Sequence, residues 1–433
     1  MIRLSEVGRG AAHAVVGLIL MTTPLGAQSQ GVLAVRGGEV HTLAGESVAN
    51  GTVLIEDGRI TAVGATVQIP AGAHVIDASG KHVYPGMFDA YTTLGLTEIG
   101  AVDVTSDIRE LGRYNPHLNA ATAVHPASEH IPVARANGIT HALSAPGGEG
   151  FAGQATVVHL DGWTVEEMML RHSVGLVVAW PSLGGGGGGR GGGRFRGPAL
   201  PWDERLEQYE ERVREMETWL NTARNYALTV EAGTARRDLK LEALIRIVTG
   251  ELPVLISANS ERDIRNAVEF GERNGLDVII TGGQRAWVVA DLLAEKGVSV
   301  ILGPTQAMPS GADESYDEAY SKAGKLHAAG VKFAFATFNS TSSRTLPYEA
   351  GMAVGYGLPQ EAALRAVTVN GAEILGLGDD LGTLEVGKLG NLMVTDGDPL
   401  EIQTRIEHLV INGREVSTDN KHRSLYERYR ARR

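Results

Sequence analysis

The 433-residue chain contains no cysteine. That absence excludes a disulfide framework, a zinc finger, an iron–sulfur cluster and a cysteine nucleophile, and it leaves any metal to histidine, carboxylate or carbonyl ligands. The chain also lacks an apolar run approaching the ~20 residues that span a bilayer. Basic charge is scarce: 39 Lys and Arg stand against 51 Asp and Glu, a formal net charge of −12. A surplus of that sign argues against nucleic acid or an anionic membrane as the main partner. No Gly-x-Ser-x-Gly occurs, which removes the nucleophile-elbow signature of a serine hydrolase. None of the 13 histidines falls between Ser173 and Leu326.

What is present is globular. The composition is 43% hydrophobic and 21% charged, and the length suits two or three structural units. The 56 glycines are about twice the usual share of roughly 7%, and ten of them lie in the low-complexity stretch Gly184–Gly197. That stretch reads as a flexible surface insertion ahead of a charged helix from about Trp202 to Arg224. At the N-terminus, Arg3 and Arg9 precede an apolar run from Ala14 to Met21 and the small pair Gly26-Ala27. Residues 1–27 therefore read as a cleavable secretory signal, with the mature protein exported to the periplasm or the cell exterior.

Residues 28–84 are short strand-like runs, with Asp57-Gly58 marking a hairpin turn. Residues 379–418 repeat that grammar, turning at Asn412-Gly413. A lone hairpin buries too little surface to stand by itself, so the two ends are expected to build one small composite β domain. Between them, residues 85–378 alternate continuous apolar runs, such as Val174–Ala179, Leu252–Ser257, Asp277–Thr281, Val298–Leu302 and Val331–Ala336, with amphipathic helical stretches such as Glu261–Glu272. Apolar strands spaced by helices predict a parallel sheet covered on both faces, and this many repeats favour an α/β fold of the (β/α)8 TIM-barrel type. Chemistry would then sit after the C-terminal ends of the strands. The segment 419–433 forms a basic, amphipathic tail.

The run Pro85-Gly86-Met87-Phe88-Asp89-Ala90-Tyr91-Thr92-Thr93 opens the barrel region. With Gly282-Gly283-Gln284-Arg285-Ala286-Trp287, Ala366–Gly376, Leu381–Lys388 and Asp396-Gly-Asp-Pro399, it resembles the amidohydrolase superfamily, in particular the exported branch that includes imidazolonepropionase-like enzymes and proline dipeptidases. The resemblance implies a β-sandwich from both chain ends beside the barrel and hydrolysis of amide or cyclic carbon–nitrogen bonds. It also implies one or two divalent zinc-type metals that activate water, with an Asp after the last strand as general base.

The same resemblance locates the family's ligands, and this chain departs from them. The His-x-His positions hold Tyr91 and Thr93, the strand 5 position Ser257 and the strand 6 position Gln284. The Asp position falls on Asn339, or on Ser340 in a shifted register, and the stretch Trp180–Leu183 offers no Lys or Glu as a bridging ligand. Neutral hydroxyls and amides bind zinc too weakly to compete with water. The expectation is therefore a degenerate pseudo-site of Tyr91, Thr93, Ser257, Gln284 and Asn339, with no metal or other cofactor and with activity lost or strongly altered. The alternative is a non-catalytic homologue that binds a small-molecule or peptide-like ligand, or that assembles as a homo-oligomer or with an active relative.

Other constellations read as structural. Gly148–Gly153 spells a dinucleotide fingerprint but leads into a strand-like run rather than a helix. His141 and Ser144 have no acidic partner nearby in sequence, and Asp89 is expected to cap backbone amides. The acidic run Asp313, Glu314, Asp317 and Glu318 reads as a solvated helix start.

Overall fold

The computed structural model describes residues 31–183, 200–309 and 314–432. The expected signal segment, the glycine-rich insertion and Asp313 lie outside these residues. Two eight-stranded sheets organise the chain. The first draws on both ends: β1 (Leu33–Val40), β2 (Val48–Glu56), β3 (Arg59–Gly64), β4 (His74–Asp77) and β5 (His82–Pro85) join β14 (Leu392–Thr395), β15 (Ile406–Ile411) and β16 (Arg414–Val416) in the order β16-β15-β14-β5-β1-β2-β3, with β4 also beside β1. Both anticipated hairpin turns form with positive φ, at Asp57 (49°) and Gly58 (82°) and at Asn412 (50°) and Gly413 (75°), as two-residue turns matching strand twist require. Val35, Val53, Ile55, Val83, Leu392 and Val410 share the core of this sheet, so residues from both ends bury one another.

The second sheet carries β6 (Met87–Thr92), β7 (Ile139–Ser144), β8 (Gly150–His159), β9 (Met169–Ala179), β10 (Val254–Ala258), β11 (Val278–Gly282), β12 (Ser299–Leu302) and β13 (Phe333–Phe335), side by side in chain order. Just beyond β13 the Phe338 amide donates to the Tyr91 carbonyl at 2.8 Å, drawing the last strand's end to the first and nearly closing a barrel. Leu255, Ile279, Ile301, Ala334 and Ala336 pack together with Phe88, Ala90 and Val177, while the alternate residues Ile256, Ile280, Val300 and Phe335 belong to the core shared with the helices. Both faces of these strands are covered, which is why their sequences read as unbroken apolar runs.

One strand departs from the expected all-parallel arrangement. β8 runs antiparallel to both β7 and β9, because only five residues link Ser144 to Gly150 and a parallel return needs a crossover of about a dozen residues or more. The Gly148–Gly153 stretch is the entry to this reversed strand and carries no helix after it.

The helices are α1 (His130–Arg135), α2 (Val165–Met168), α3 (Trp202–Glu231), α4 (Leu239–Val248), α5 (Glu261–Asn274), α6 (Ala290–Lys296), α7 (Glu318–Ala328), α8 (Leu346–Gly355), α9 (Gln360–Ala366), α10 (Val369–Ile374) and α11 (Lys421–Arg430). α5 shows the local logic. The Ser260 hydroxyl accepts from the Asp263 amide at 3.1 Å, Ile264, Ala267, Val268 and Gly271 are buried, and Gly275 ends the helix in the left-handed region. α3 runs seven residues beyond the expected Arg224, burying only Met216, Leu220, Ala223 and Tyr226. Before α7, the acidic side chains are not wholly solvated: Arg285 pairs with Glu314 at 3.5 Å and with Glu318 at 3.3 Å. The C-terminal helix α11 has no buried residue. Among the described residues no helix is long and apolar enough to cross a membrane.

Candidate functional site

The ends of β6 and β13 meet at the barrel mouth. Asp89 is fully buried, and its Oδ1 accepts from the amides of Thr337 at 3.1 Å and Tyr91 at 3.4 Å. The Thr337 hydroxyl donates to Oδ2 at 2.5 Å. Burial pushes the carboxyl up to about 7, with the Thr337 and Tyr91 hydrogen bonds partly offsetting that rise. The Thr92 and Ser343 hydroxyls, 2.9 Å apart, extend this polar seam. Asp89 thus caps backbone amides, as its position suggested, and ties the first strand to the segment after the last.

Beside this seam the Tyr91 ring stacks on Phe338, with centroids 4.6 Å apart and planes 23° off parallel. Burial pushes the Tyr91 phenol upward, so it stays protonated at neutral pH. Phe338 holds φ at +56°, a conformation that costs a bulky residue energy and persists only where its surroundings impose it. Those surroundings are the aromatic stack and the bond from its amide to Tyr91.

Asn339 does not face Tyr91. It is exposed, and its Oδ1 accepts from the Thr341 amide at 2.9 Å to cap the 3₁₀ turn Ser340–Thr345. Strand parity explains this: Ala334, Ala336 and Phe338 share the barrel's inner cluster, which puts residue 339 on the opposite side. The Thr93 hydroxyl accepts from the Ser340 amide at 3.1 Å. Tyr91 and Thr93 are therefore held against residues 338 and 340, with Phe338 the neighbour that sequence reasoning missed.

Ser257 is half-buried near the C-terminal end of β10, in register with Ala179 and Thr281. The Thr281 hydroxyl is buried without a hydrogen-bond partner. Gln284 is exposed, two residues beyond β11 after Gly282 (φ +89°) and Gly283 (φ +57°). Among the described residues no hydrogen bond joins Ser257 or Gln284 to Tyr91, Thr93 or Asn339. After β9, Trp180 is buried and Ser182 donates to Asp263 at 2.9 Å.

These residues do not fit a divalent metal centre of the family type. Tyr91 is a neutral phenol stacked on a hydrocarbon ring, the Thr93 and Asn339 oxygens already accept backbone amides, and Gln284 faces solvent. Such a donor set has neither the imidazoles nor the carboxylates that hold zinc. Ser144 and His141 do not pair with each other either. The Ser144 hydroxyl donates to the Leu94 carbonyl at 2.6 Å, whereas His141 lies 2.8 Å from the Thr140 hydroxyl and 3.1 Å from the His159 ring.

Comparison with known proteins places this arrangement. The amidohydrolase family model matches residues 284–418. The amidohydrolase tasK of Hapsidospora irregularis is 24% identical over 401 residues, covering 84% of this chain but only 39% of that protein's length. The chain thus spans about two fifths of that relative. The imidazolonepropionase of Geobacillus sp. (strain WCH70) is 24% identical over 83% of this chain and 90% of its own length. Among solved structures, an amidohydrolase from Thermotoga maritima MSB8 superposes with a TM-score of 0.77 at 25% identity, covering 89% of this chain and 99% of that one. With a barrel nearly closed between β6 and the end of β13, a sheet built from both chain ends, and these likenesses along the sequence, the chain is similar in fold and sequence to the amidohydrolase superfamily, and to imidazolonepropionases among its members.

Proposed function

We propose that this protein keeps the amidohydrolase scaffold, whose family chemistry is hydrolysis of carbon–nitrogen bonds, but has lost metal-activated hydrolysis at the barrel mouth. The observation that carries this reading is the Tyr91–Phe338 stack lying beside the Asp89–Thr337 seam. Two aromatic rings occupy the mouth where charged ligands and a bound hydroxide would be needed, and neutral side chains do not generate hydroxide near pH 7. The reading assigns the protein a binding role in place of turnover: it takes up a small-molecule or peptide-like ligand, or works as a subunit beside a second copy or an active relative. The polar rim of Ser257 and Thr281, the latter without a protein partner, supports ligand uptake. Export, with residues 1–27 removed, belongs to the same proposal, and N-terminal sequencing of the mature protein is expected to begin at Gln28.

The test is turnover of dipeptides and cyclic amides by the purified full chain, with and without added Zn2+ and after chelation. No turnover above the uncatalysed rate is expected under any condition. Hydrolysis that needs the metal and stops on chelation would overturn the proposal.

A further inference from the structure

Three side chains with metal-ligating atoms converge on the sheet built from both chain ends, a different sheet from the one that carries the barrel strands. β1 and β5 pair in parallel with Glu39 opposite His82, and the pairing is continued by the His41 amide donating to the Val83 carbonyl at 2.9 Å. Residues two apart on a strand share a face. Glu39 on β1 and His41 just past its end therefore meet His82 and Tyr84 on β5 as a two-by-two array. Within it His41 Nε2 lies 3.1 Å from His82 Nδ1, and His82 Nδ1 lies 3.4 Å from Glu39 Oε2. All three ligand atoms fall within 4.8 Å of one another.

We propose that Glu39, His41 and His82 form a binding site for a borderline transition-metal dication such as Zn2+. The spacing suits it. Ligand bonds of about 2.0–2.1 Å at a tetrahedral angle set neighbouring donor atoms about 3.3 Å apart, between the two separations found here. The donor set is two imidazoles and one carboxylate, which favours zinc, nickel or copper over magnesium or calcium.

The supporting shell is also in place. Ser47 Oγ sits 3.0 Å from His41 Nδ1. A proton on Nδ1 shared with that hydroxyl leaves the Nε2 lone pair directed at His82, the arrangement in which an outer partner fixes a ligand's tautomer. The Tyr84 ring stacks on His41 at 4.2 Å and 4° from parallel, holding the imidazole plane. Glu39 and His82 stand on strands and His41 directly follows one, its amide bonded to Val83 of β5, a strand held between β1 and β14. Entry is open, since the Glu39 side chain is 50% exposed and that of His82 33%. Three protein ligands leave a further position to water.

The experiment uses the full chain, treated with chelator, dialysed, and titrated with Zn2+ alone against a chromophoric competitor, with Co2+ absorption as a second readout. One equivalent is expected to bind. His82→Ala and Glu39→Ala should each weaken binding at least 100-fold, and Ser47→Ala by roughly 10-fold, while circular dichroism shows the variants folded. The Co2+ spectrum should be that of a four- or five-coordinate site and should vanish in His82→Ala. Wild-type affinity no greater than that of His82→Ala would overturn the site. So would retention of the bound equivalent when Glu39 and His82 are both replaced. Turnover plays no part in these readouts, so the site and the proposed loss of hydrolysis stand or fall separately.

Discussion

Asp89 is the residue whose environment is most at odds with its chemistry. A carboxyl raised from 3.8 to about 7 is stabilised by the fold in its protonated form. Its contribution to stability is fully present below the unfolded value near 4 and is lost as pH rises through the folded value near 7. The expected size is up to roughly 4 kcal/mol, at about 1.4 kcal/mol per pKa unit. Asp89→Asn keeps an acceptor for the Thr337 and Tyr91 amides and places a neutral amide against the Thr337 hydroxyl. We expect urea midpoints of the variant and the wild type to be close at pH 4.5 and to separate at pH 8, with the variant the more stable. A wild-type advantage that is constant across this range would contradict the assignment of the titration to Asp89. The persistence of Asp89 was legible in the Pro-Gly-x-x-Asp stretch. The neighbour of Tyr91 was not, because the sequence alone does not say which alternate residues after Val331 face the barrel interior. Counting parity from Ala334 and Ala336 would have selected Phe338 over Asn339, but strand parity is usable only once the inner face is known.

At the scale of elements, β7 and β8 meet at two histidines. His141 and His159 are register partners, buried, with Nε2 and Nδ1 3.1 Å apart. Burial first, then the Arg414 charge, lowers His159 from 6.5 to about 4, and burial with the neighbouring His159 ring holds His141 well below its ordinary value. Stability from keeping His159 neutral is present above pH 6.5 and is lost as pH falls through 4, the opposite slope to that of Asp89. His159→Gln retains a donor for the His141 ring. It should shallow the acid limb by up to roughly 3 kcal/mol between pH 6.5 and 4, read as the pH dependence of the urea midpoint. An unchanged limb would place acid sensitivity elsewhere. The element types here were largely legible, since Asp57-Gly58 and Asn412-Gly413 carry the only turn chemistry their hairpins allow, and doubly covered strands write themselves as apolar runs. The direction of β8 was less so. Its core residues Ala155, Val157 and Val158 match those of a parallel strand, and only the five-residue link before it excludes a crossover. The Glu39, His41 and His82 cluster was invisible for a related reason: His82 lies 41 residues beyond His41, and the parallel β1–β5 register that joins them is not written in either strand alone.

The whole molecule depends on its last 55 residues in a way that its first 378 do not announce. β14 adds beside β5, with Leu392 opposite Pro85 and Val394 opposite Val83, so the sheet begun at the N-terminus keeps an open β5 edge until the chain returns. At the threshold between the two sheets the Gly86 amide donates to the Asn391 carbonyl at 3.0 Å, and a side chain at Gly138 would meet the Met393 sulfur at 2.5 Å. The entry to the barrel is thus shaped by residues that arrive last. Ending the chain at Gly378 removes nine buried apolar side chains, Leu381, Leu384, Leu392, Met393, Val394, Leu400, Leu409, Val410 and Ile411. At about 1.5–3 kcal/mol each, their loss matches or exceeds the roughly 5–15 kcal/mol that holds a typical domain folded. It also exposes the apolar face of β1, β2 and β5 and an unpaired β5 edge, which invites aggregation. We expect the truncated chain to show no cooperative urea transition and to collect as aggregate. Co-expression of residues 379–433 as a separate polypeptide should restore a soluble complex with a single transition. If the truncated chain instead unfolds cooperatively by itself near the wild-type midpoint, the barrel is an autonomous unit and the composite sheet an appendage to it.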